Sequence, residues 1–261
     1  MSFCFVQKLI KSYTQKIGKG LILMKKTIIV MPVANEEETI GNTLQGIIDF
    51  GYDNLYIYPV IDDYSKDKTE EIIRSFEDTG KVKCIFYKES RGVISCYLEG
   101  YRQALKDGAE RIIEMDGGGS HLPSELPQYI EALDEGYECV WGSRFIKGGG
   151  MEHDPLYRKI LSGGGTILSN IVLGTKLKDM TSGYEAFQRH VLESFDFDKF
   201  LSTGHMYQTE MKFYCRKYTY KEVPIHYIAG KSSLKWKSVK EALVILFKLK
   251  KHEKNVLKNA E

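Results

Sequence analysis

The sequence has no C-x-x-C pair, no long apolar run and almost no net charge. Its five cysteines (Cys4, Cys84, Cys96, Cys139 and Cys215) are odd in number and far apart. That pattern speaks against a disulfide framework or a structural zinc site and fits a reducing compartment. Apolar stretches such as Ala242–Phe247 fall well short of the ~18 residues that a membrane-spanning helix needs. With 37 basic and 35 acidic side chains the net charge is +2, which disfavours a protein that coats nucleic acid. Residues 1–24 lack a continuous apolar core and a small-residue cleavage site, so they do not read as a secretory signal. No G-x-G-x-x-G follows the first strand-like run; Pro32-Val33-Ala34-Asn35 stands there instead, which disfavours a dinucleotide-dependent dehydrogenase.

What is present is an ordinary globular composition, 43% hydrophobic and 28% charged, with no internal repeat and no linker. The chain alternates strand-like and helix-like stretches from Thr27 onward. Strands are expected over 27–32, 55–61, 82–87 and 111–115. Between them, Ile40, Leu44, Ile47 and Ile48 mark one helix, and Ile72, Ile73 and Phe76 a second with Ser65 or Asp67 as its cap. Ile94, Leu98, Tyr101 and Leu105 mark a third. Such strand–helix units predict an α/β fold with a mostly parallel central sheet and helices on both faces. Ligands of such sheets bind beyond the carboxyl ends of the strands. Asn35, Glu36, Asp62, Asp63, Arg91 and Asp116 all fall there, from separate segments that the topology brings together.

The second half is less regular. A strand is expected over 138–142 and a short one over 183–187. A helix over 156–173 is interrupted on paper by Gly163-Gly164-Gly165. A helix over 207–218, a strand over 220–227 and a lysine-rich amphipathic helix over 238–252 follow. Residues 1–24 read as a loosely attached extension, 25–235 as the main domain and 236–261 as a basic amphipathic C-terminal helix.

Several motifs, taken in order, resemble the inverting family 2 glycosyltransferases with the nucleotide-sugar-binding GT-A fold. They are Pro32-x-x-Asn35-Glu36-x-x-x-Ile40, Ile61-Asp62-Asp63-Tyr64-Ser65-x-Asp67-x-Thr69 and Met115-Asp116-Gly-Gly-Gly-Ser120-His121-x-Pro123. Within that family the likeness is to polyprenyl-phosphate sugar transferases of the dolichol-phosphate mannose synthase type. It is carried by Gly142-Ser143-Arg144-Phe145, Asp179-x-Thr181-Ser182-Gly183-Tyr184, Tyr207-Gln208-x-Glu210-Met211 and Glu222-Val223-Pro224-Ile225. Two departures stand out. The family's metal loop usually reads Asp-x-Asp, whereas Gly117 and Gly118 follow Asp116. The acceptor loop usually has an Arg three residues before a Gly, where this chain has Tyr227, Gly230, Lys231, Ser232 and Ser233.

The resemblance implies a site as follows. Asp62 and Asp63, Asp63 above all, accept hydrogen bonds from the donor's base or ribose, because an ionised carboxylate is acceptor-only. Pro32, Asn35, Glu36, Arg91 and Gly117 complete the nucleotide-sugar pocket. Asp116 holds Mg²⁺ or Mn²⁺, a cation that needs only one or two carboxylates when phosphates and water fill its shell. Arg144, Arg158 and Lys231 neutralise phosphate, with Ser182, Gln208 and Ser232 beside the acceptor. Glu210 occupies the place where hydroxyl-acceptor members carry a base; a phosphate acceptor needs none. His121 reads as a structural residue.

The function expected from these residues is transfer of a hexose from a nucleotide-diphosphate sugar, of the GDP-mannose or UDP-glucose type, to a polyprenyl phosphate with inversion. Two alternatives stay open: inverting transfer to a hydroxyl of a surface glycan, and a non-catalytic nucleotide-sugar-binding subunit. The expected location is cytoplasmic and peripheral at the inner face of the membrane, with the last helix, where Val239, Ala242, Leu243, Leu246 and Leu249 share a stripe, lying either on the bilayer or on the domain.

Overall fold

The computed structural model describes residues 25–87, 92–152, 156–202, 204, 206–228 and 236–256; the extension expected over 1–24 lies outside them. β1 (Thr27–Val33) is buried along its whole length, as a strand covered on both faces must be. It leads through α1 (Ile40–Ile48) to β2 (Leu55–Asp62), then through α2 (Thr69–Ser75) to β3 (Ile85–Tyr87). α3 (Val93–Lys106) carries the chain back across β1 to β4 (Arg111–Glu114). These four strands pair in parallel in the order β3-β2-β1-β4.

Beyond β4 the sheet turns mixed. α4 (Leu126–Asp134) precedes β5 (Cys139–Ser143), β6 (Gly150–Glu152) and the long α5 (Leu156–Leu173). β7 (Glu185–Gln188) then inserts antiparallel between β4 and β5. α6 (Arg189–Glu193) and α7 (Tyr207–Tyr214) follow, then β8 (Tyr220–Pro224), β9 (His226–Ile228) and α8 (Trp236–Val256). Among the described residues the main sheet has seven strands, ordered β3-β2-β1-β4-β7-β5-β8, and β6 and β9 form a separate parallel pair.

Each face of the sheet has its own core. Ile40, Leu44 and Ile47 of α1, with Tyr129 and Leu133 of α4, cover Ile29, Met31, Ile61 and Ile113. Ile94, Tyr97 and Tyr101 of α3, Tyr207 and Met211 of α7 and Leu246 and Leu249 of α8 cover Ile28, Val30, Val60 and Ile112. This is the α/β architecture expected, mostly parallel with helices on both faces.

Four elements differ from the sequence reading, and a fifth, α5, keeps its expected bounds. The strand expected over 82–87 shrinks to β3, with Val82 making a lone bridge to Ile57, because Glu77 takes the amide of Cys84. The strand expected over 220–227 is two strands: the chain leaves β5 at Pro224, and the next residues pair with β6. The helix expected over 207–218 ends at Tyr214 in a tighter turn. α5 runs unbroken through Gly163-Gly164-Gly165. On α8, Ile245, Leu246 and Leu249 face the core, while Leu243 of the expected stripe is exposed beside Val244 and Phe247. Among the described residues no helix is long and apolar enough to cross a membrane.

Candidate active site

The chain runs outward from β1 to β2 and β3, then returns across β1 to β4, so the carboxyl ends of β1 and β4 flank a topological switch point, where open α/β sheets hold ligands. The loop after β1 is tied to the loop after β2. Asn35, with φ of 57°, donates its amide to Ser65 Oγ and its Nδ2 to the Tyr64 carbonyl, and its Oδ1 accepts the Lys66 amide at 2.9 Å. The Glu36 amide donates to Thr69 Oγ1 at 2.8 Å, and across the same seam the Glu37 amide donates to Asp67 Oδ2 and the Lys68 amide to the Glu37 carboxylate. Asp67, not Ser65, takes the Thr69 amide. Burial pushes the Asp67 carboxyl up, but bonds from Thr69, the Glu37 amide and Ser65 hold it below its usual range.

Asp62 ends β2 buried, with Oδ1 on the Tyr64 amide at 2.9 Å; Asp63 beside it is exposed. Pro32 lies within β1 past the last residue paired with β4, so its missing N–H breaks no bond on that side. Asp116 follows β4. Its amide donates to His121 Nδ1 at 3.0 Å, and its Oδ1 accepts the Gly118 amide at 2.7 Å. His121 is buried and stacked on Tyr184, and burial drops its pKa to about 4, so it stays neutral with Nδ1 as the acceptor. Gly117 packs on β1 so closely that a β-carbon would sit 2.1 Å from Val33 Cγ1. Only glycine fits there.

Beneath this edge lies a buried polar frame. Arg144 donates Nε and Nη2 to the two oxygens of Asp179, at 2.7 and 2.8 Å, and reaches Thr181 as well. Burial raises the Asp179 carboxyl, but the Arg144 guanidinium outweighs it and brings the pKa to about 2. Lys212, fully buried, meets Glu185 at 2.9 Å and donates to the Ser182 carbonyl at 2.5 Å. Glu114, opposite Glu185 on the neighbouring strand, bonds the Tyr101 hydroxyl and the Gln208 side chain. Burial, and then the Glu185 charge, push Glu114 well above the usual carboxylate range. Burial raises Glu185 to about 7 despite Lys212.

The family model for glycosyl transferase family 2 matches residues 28–195, which include β1 to β4, the Asp116 loop and β7. The chain belongs to this family. Polyprenol monophosphomannose synthase of Mycolicibacterium smegmatis is 29% identical over 84% of each chain. Undecaprenyl-phosphate mannosyltransferase of Micrococcus luteus is 32% identical over 84% of this chain and 91% of its own. Among solved structures, glucosyl-3-phosphoglycerate synthase from Mycobacterium tuberculosis, in complex with Mn²⁺, UDP-glucose and phosphoglyceric acid, superposes with a TM-score of 0.62. It is 14% identical over 90% of this chain and 82% of its own, a likeness of fold. The protein is a glycosyltransferase of GT-A-like fold.

In this family 2 glycosyltransferase the residues expected at the nucleotide-sugar pocket divide cleanly. Pro32, Asn35, Glu36, Asp62, Asp63, Asp116 and Gly117 converge on the edge formed by β1, β2 and β4. Arg91, Lys231 and Ser232 lie outside the described residues. Arg158 is half-buried in the first turn of α5. Ser182 is buried with its carbonyl on Lys212, and Gln208 is half-buried beside Glu114.

Two catalytic candidates sit in buried polar contacts. Glu210 is fully buried; its oxygens accept the Leu201 and Ser202 amides, each at 2.8 Å, and the Tyr214 hydroxyl at 2.9 Å. It fastens the 201–202 segment to α7. Arg144 is likewise buried, with its charge matched by Asp179 within the frame. The sequence reading missed Glu114, Glu185 and Lys212. Their one signal was polarity at positions flanked by core residues, Ile112-Ile113 before Glu114 and Tyr184 before Glu185.

Proposed function

We propose that this glycosyltransferase moves a hexose from a nucleotide-diphosphate sugar, of the GDP-mannose or UDP-glucose type, to a polyprenyl phosphate with inversion. The observation that carries this reading is the engagement of Glu210. A hydroxyl acceptor must lose its proton as it attacks the anomeric carbon, and the carboxylate that would take it is occupied by two amides and a phenol. A phosphate monoester is already anionic near neutral pH and attacks without a base. The two relatives named as polyprenol and undecaprenyl-phosphate mannosyl enzymes support the same acceptor class.

On this reading the donor's base and ribose meet Asp62 and Asp63, and the backbone of Gly117 and Gly118 leaves the diphosphate room beside Asp116. Asp116 would hold Mg²⁺ or Mn²⁺, which supplies positive charge against the leaving nucleoside diphosphate. The residues fit such an ion: a carboxylate at a glycine-lined edge, its backbone fixed by His121. The frame of Arg144, Asp179, Glu185 and Lys212 keeps that edge rigid.

The acceptor's phosphate lies at a bilayer surface, so the enzyme must approach one. α5 exposes Leu156, Tyr157, Ile160, Ile167 and Ile171, and packs on α8, which exposes Val244 and Phe247 with Lys248, Lys250 and Lys251 nearby. Apolar residues flanked by lysines suit peripheral contact with an anionic membrane.

The test is sugar transfer from labelled GDP- and UDP-sugars into vesicles carrying polyprenyl phosphate, with Mn²⁺ or with chelator. Organic-extractable, mild-acid-labile label supports the reading and names the donor. Nucleotide-sugar binding without any lipid product refutes the acceptor.

A further inference from the structure

Toward the amino end of β8 lies a cavity of about 370 Å³ that sugar transfer leaves unused. Tyr220 opens β8 opposite Cys139, the first residue of β5, and β5 runs parallel to β4 because β7 is antiparallel to both. The cavity therefore sits toward the amino ends of these strands, whereas Asn35, Asp62 and Asp116 lie at the carboxyl ends of β1, β2 and β4. Its walls come from β5 (Trp141), the residues after α5 (Lys176 and Leu177), α7 and the turn beyond it (Lys212 and Arg216), and β8 (Tyr220).

Among the described residues, three cations and no carboxylate line the cavity. Two of the cations are fixed from behind. Lys212, fully buried, has Glu185 and the Ser182 carbonyl as partners, and its ammonium stands 5.7 Å from the centre of the Trp141 ring. Arg216 is held by both oxygens of Glu253, and its guanidinium carbon lies 4.2 Å from the centre of the Phe213 ring. The Lys176 ammonium and the Tyr220 hydroxyl are exposed and have no partner among the described residues.

We infer that this cavity binds a phosphate ester with an apolar body, at a site separate from the nucleotide-sugar edge. Its volume suits a small organic molecule, not a bare ion. Lys176 and Tyr220 donate to phosphate oxygens, Lys212 and Arg216 supply fixed positive charge, and Trp141 and Leu177 meet the apolar body. A carboxylate suits the cavity less, because it pairs best with a free guanidinium fork and Glu253 already fills that of Arg216. A phosphate ester carries more charge and takes single bonds from separate donors. Its source is a lipid headgroup or a soluble ester. α5, which runs into the cavity wall, exposes Ile167 and Ile171 in its last turns, so an ester held in a bilayer is within reach.

The experiment titrates the full chain with phenyl phosphate and with benzoate by calorimetry, with and without saturating UDP or GDP. A second arm measures co-sedimentation with phosphatidylcholine vesicles, with and without phosphatidate. Phenyl phosphate should bind at one site, more tightly than benzoate and unaffected by either nucleotide. Lys176→Glu should weaken it about tenfold, the loss of one charge-assisted hydrogen bond, and Tyr220→Phe a few-fold. Both residues are exposed, so both variants should keep the wild-type circular dichroism. Lys106→Glu, an exposed reversal at the end of α3, should change nothing. A gain on phosphatidate vesicles that Lys176→Glu removes and Lys106→Glu keeps supports the site and makes a lipid headgroup its ligand. Phenyl phosphate binding without that gain supports the site and makes a soluble ester its ligand. The inference is overturned if wild type neither binds phenyl phosphate nor gains from phosphatidate, or if benzoate binds as tightly. Displacement by UDP or GDP, or equal losses in Lys176→Glu and Lys106→Glu, overturns it too.

Discussion

Glu114 and Glu185 face each other across β4 and β7, both fully buried, yet Glu185 meets Lys212 at 2.9 Å while Glu114 meets the hydroxyl of Tyr101. Two carboxylates in one dry site do not both ionise, and here the neighbouring cation decides between them. Burial and the Glu185 charge push Glu114 toward its protonated form, while Glu185 has Lys212 as its partner. Replacing Glu114 by Gln, which mimics the protonated acid, should therefore change stability by less than about 1 kcal/mol. Replacing Glu185 by Gln strands a buried ammonium and should cost about 3–5 kcal/mol in denaturant unfolding. Equal losses in the two variants would contradict this division.

Arg144 and Asp179 give a pH signature. The Asp179 carboxyl falls from 3.8 in the unfolded chain to about 2 in the fold, so the unfolded chain binds the proton more tightly. The resulting stability is present above pH 3.8 and lost as pH falls through about 2, amounting to about 2 kcal/mol. Asp179→Asn should flatten the pH dependence of the urea midpoint in that window relative to wild type. An unchanged slope would mean that the pair does not act as drawn.

Glu210→Gln separates a fastener from a base. Gln keeps one acceptor oxygen but sets an NH₂ against an amide donor, so stability should fall by about 1–3 kcal/mol. Turnover measured below the variant's melting range should stay within about tenfold of wild type, well short of the loss that removal of a general base brings. Near-abolished kcat with unchanged unfolding would restore Glu210 as a base.

A β-carbon at Gly163 or Gly164 meets no atom within 4 Å, and α5 passes through both. Ala at either position should raise stability by about 0.5–1 kcal/mol through helix propensity alone. A loss in both would show that the helix needs glycine for a reason its packing does not display.

The first half of the fold was legible because its information is local. β1, β2, α1 and α3 announce themselves through period and burial, and the parallel topology then places Asn35, Asp62 and Asp116 on one edge without any distance being known. The second half depends on pairings far apart in sequence. Nothing local tells residues 185–188 to enter between β4 and β5 in the opposite direction, or residues 224–226 to change sheets. Glu210 and Arg144 were visible as chemistry but not as context: their motif spacing does not reveal that amides at 201–202 and a carboxylate at 179 saturate them.

The central claim is that the acceptor is already an anion and the enzyme supplies no base to it. The direct measurement offers the enzyme polyprenyl phosphate and the corresponding free polyprenol together in vesicles, with one labelled nucleotide sugar, and identifies which lipid carries the label. The account predicts label on the phosphate alone, with the anomeric configuration inverted. Label on the alcohol would contradict it.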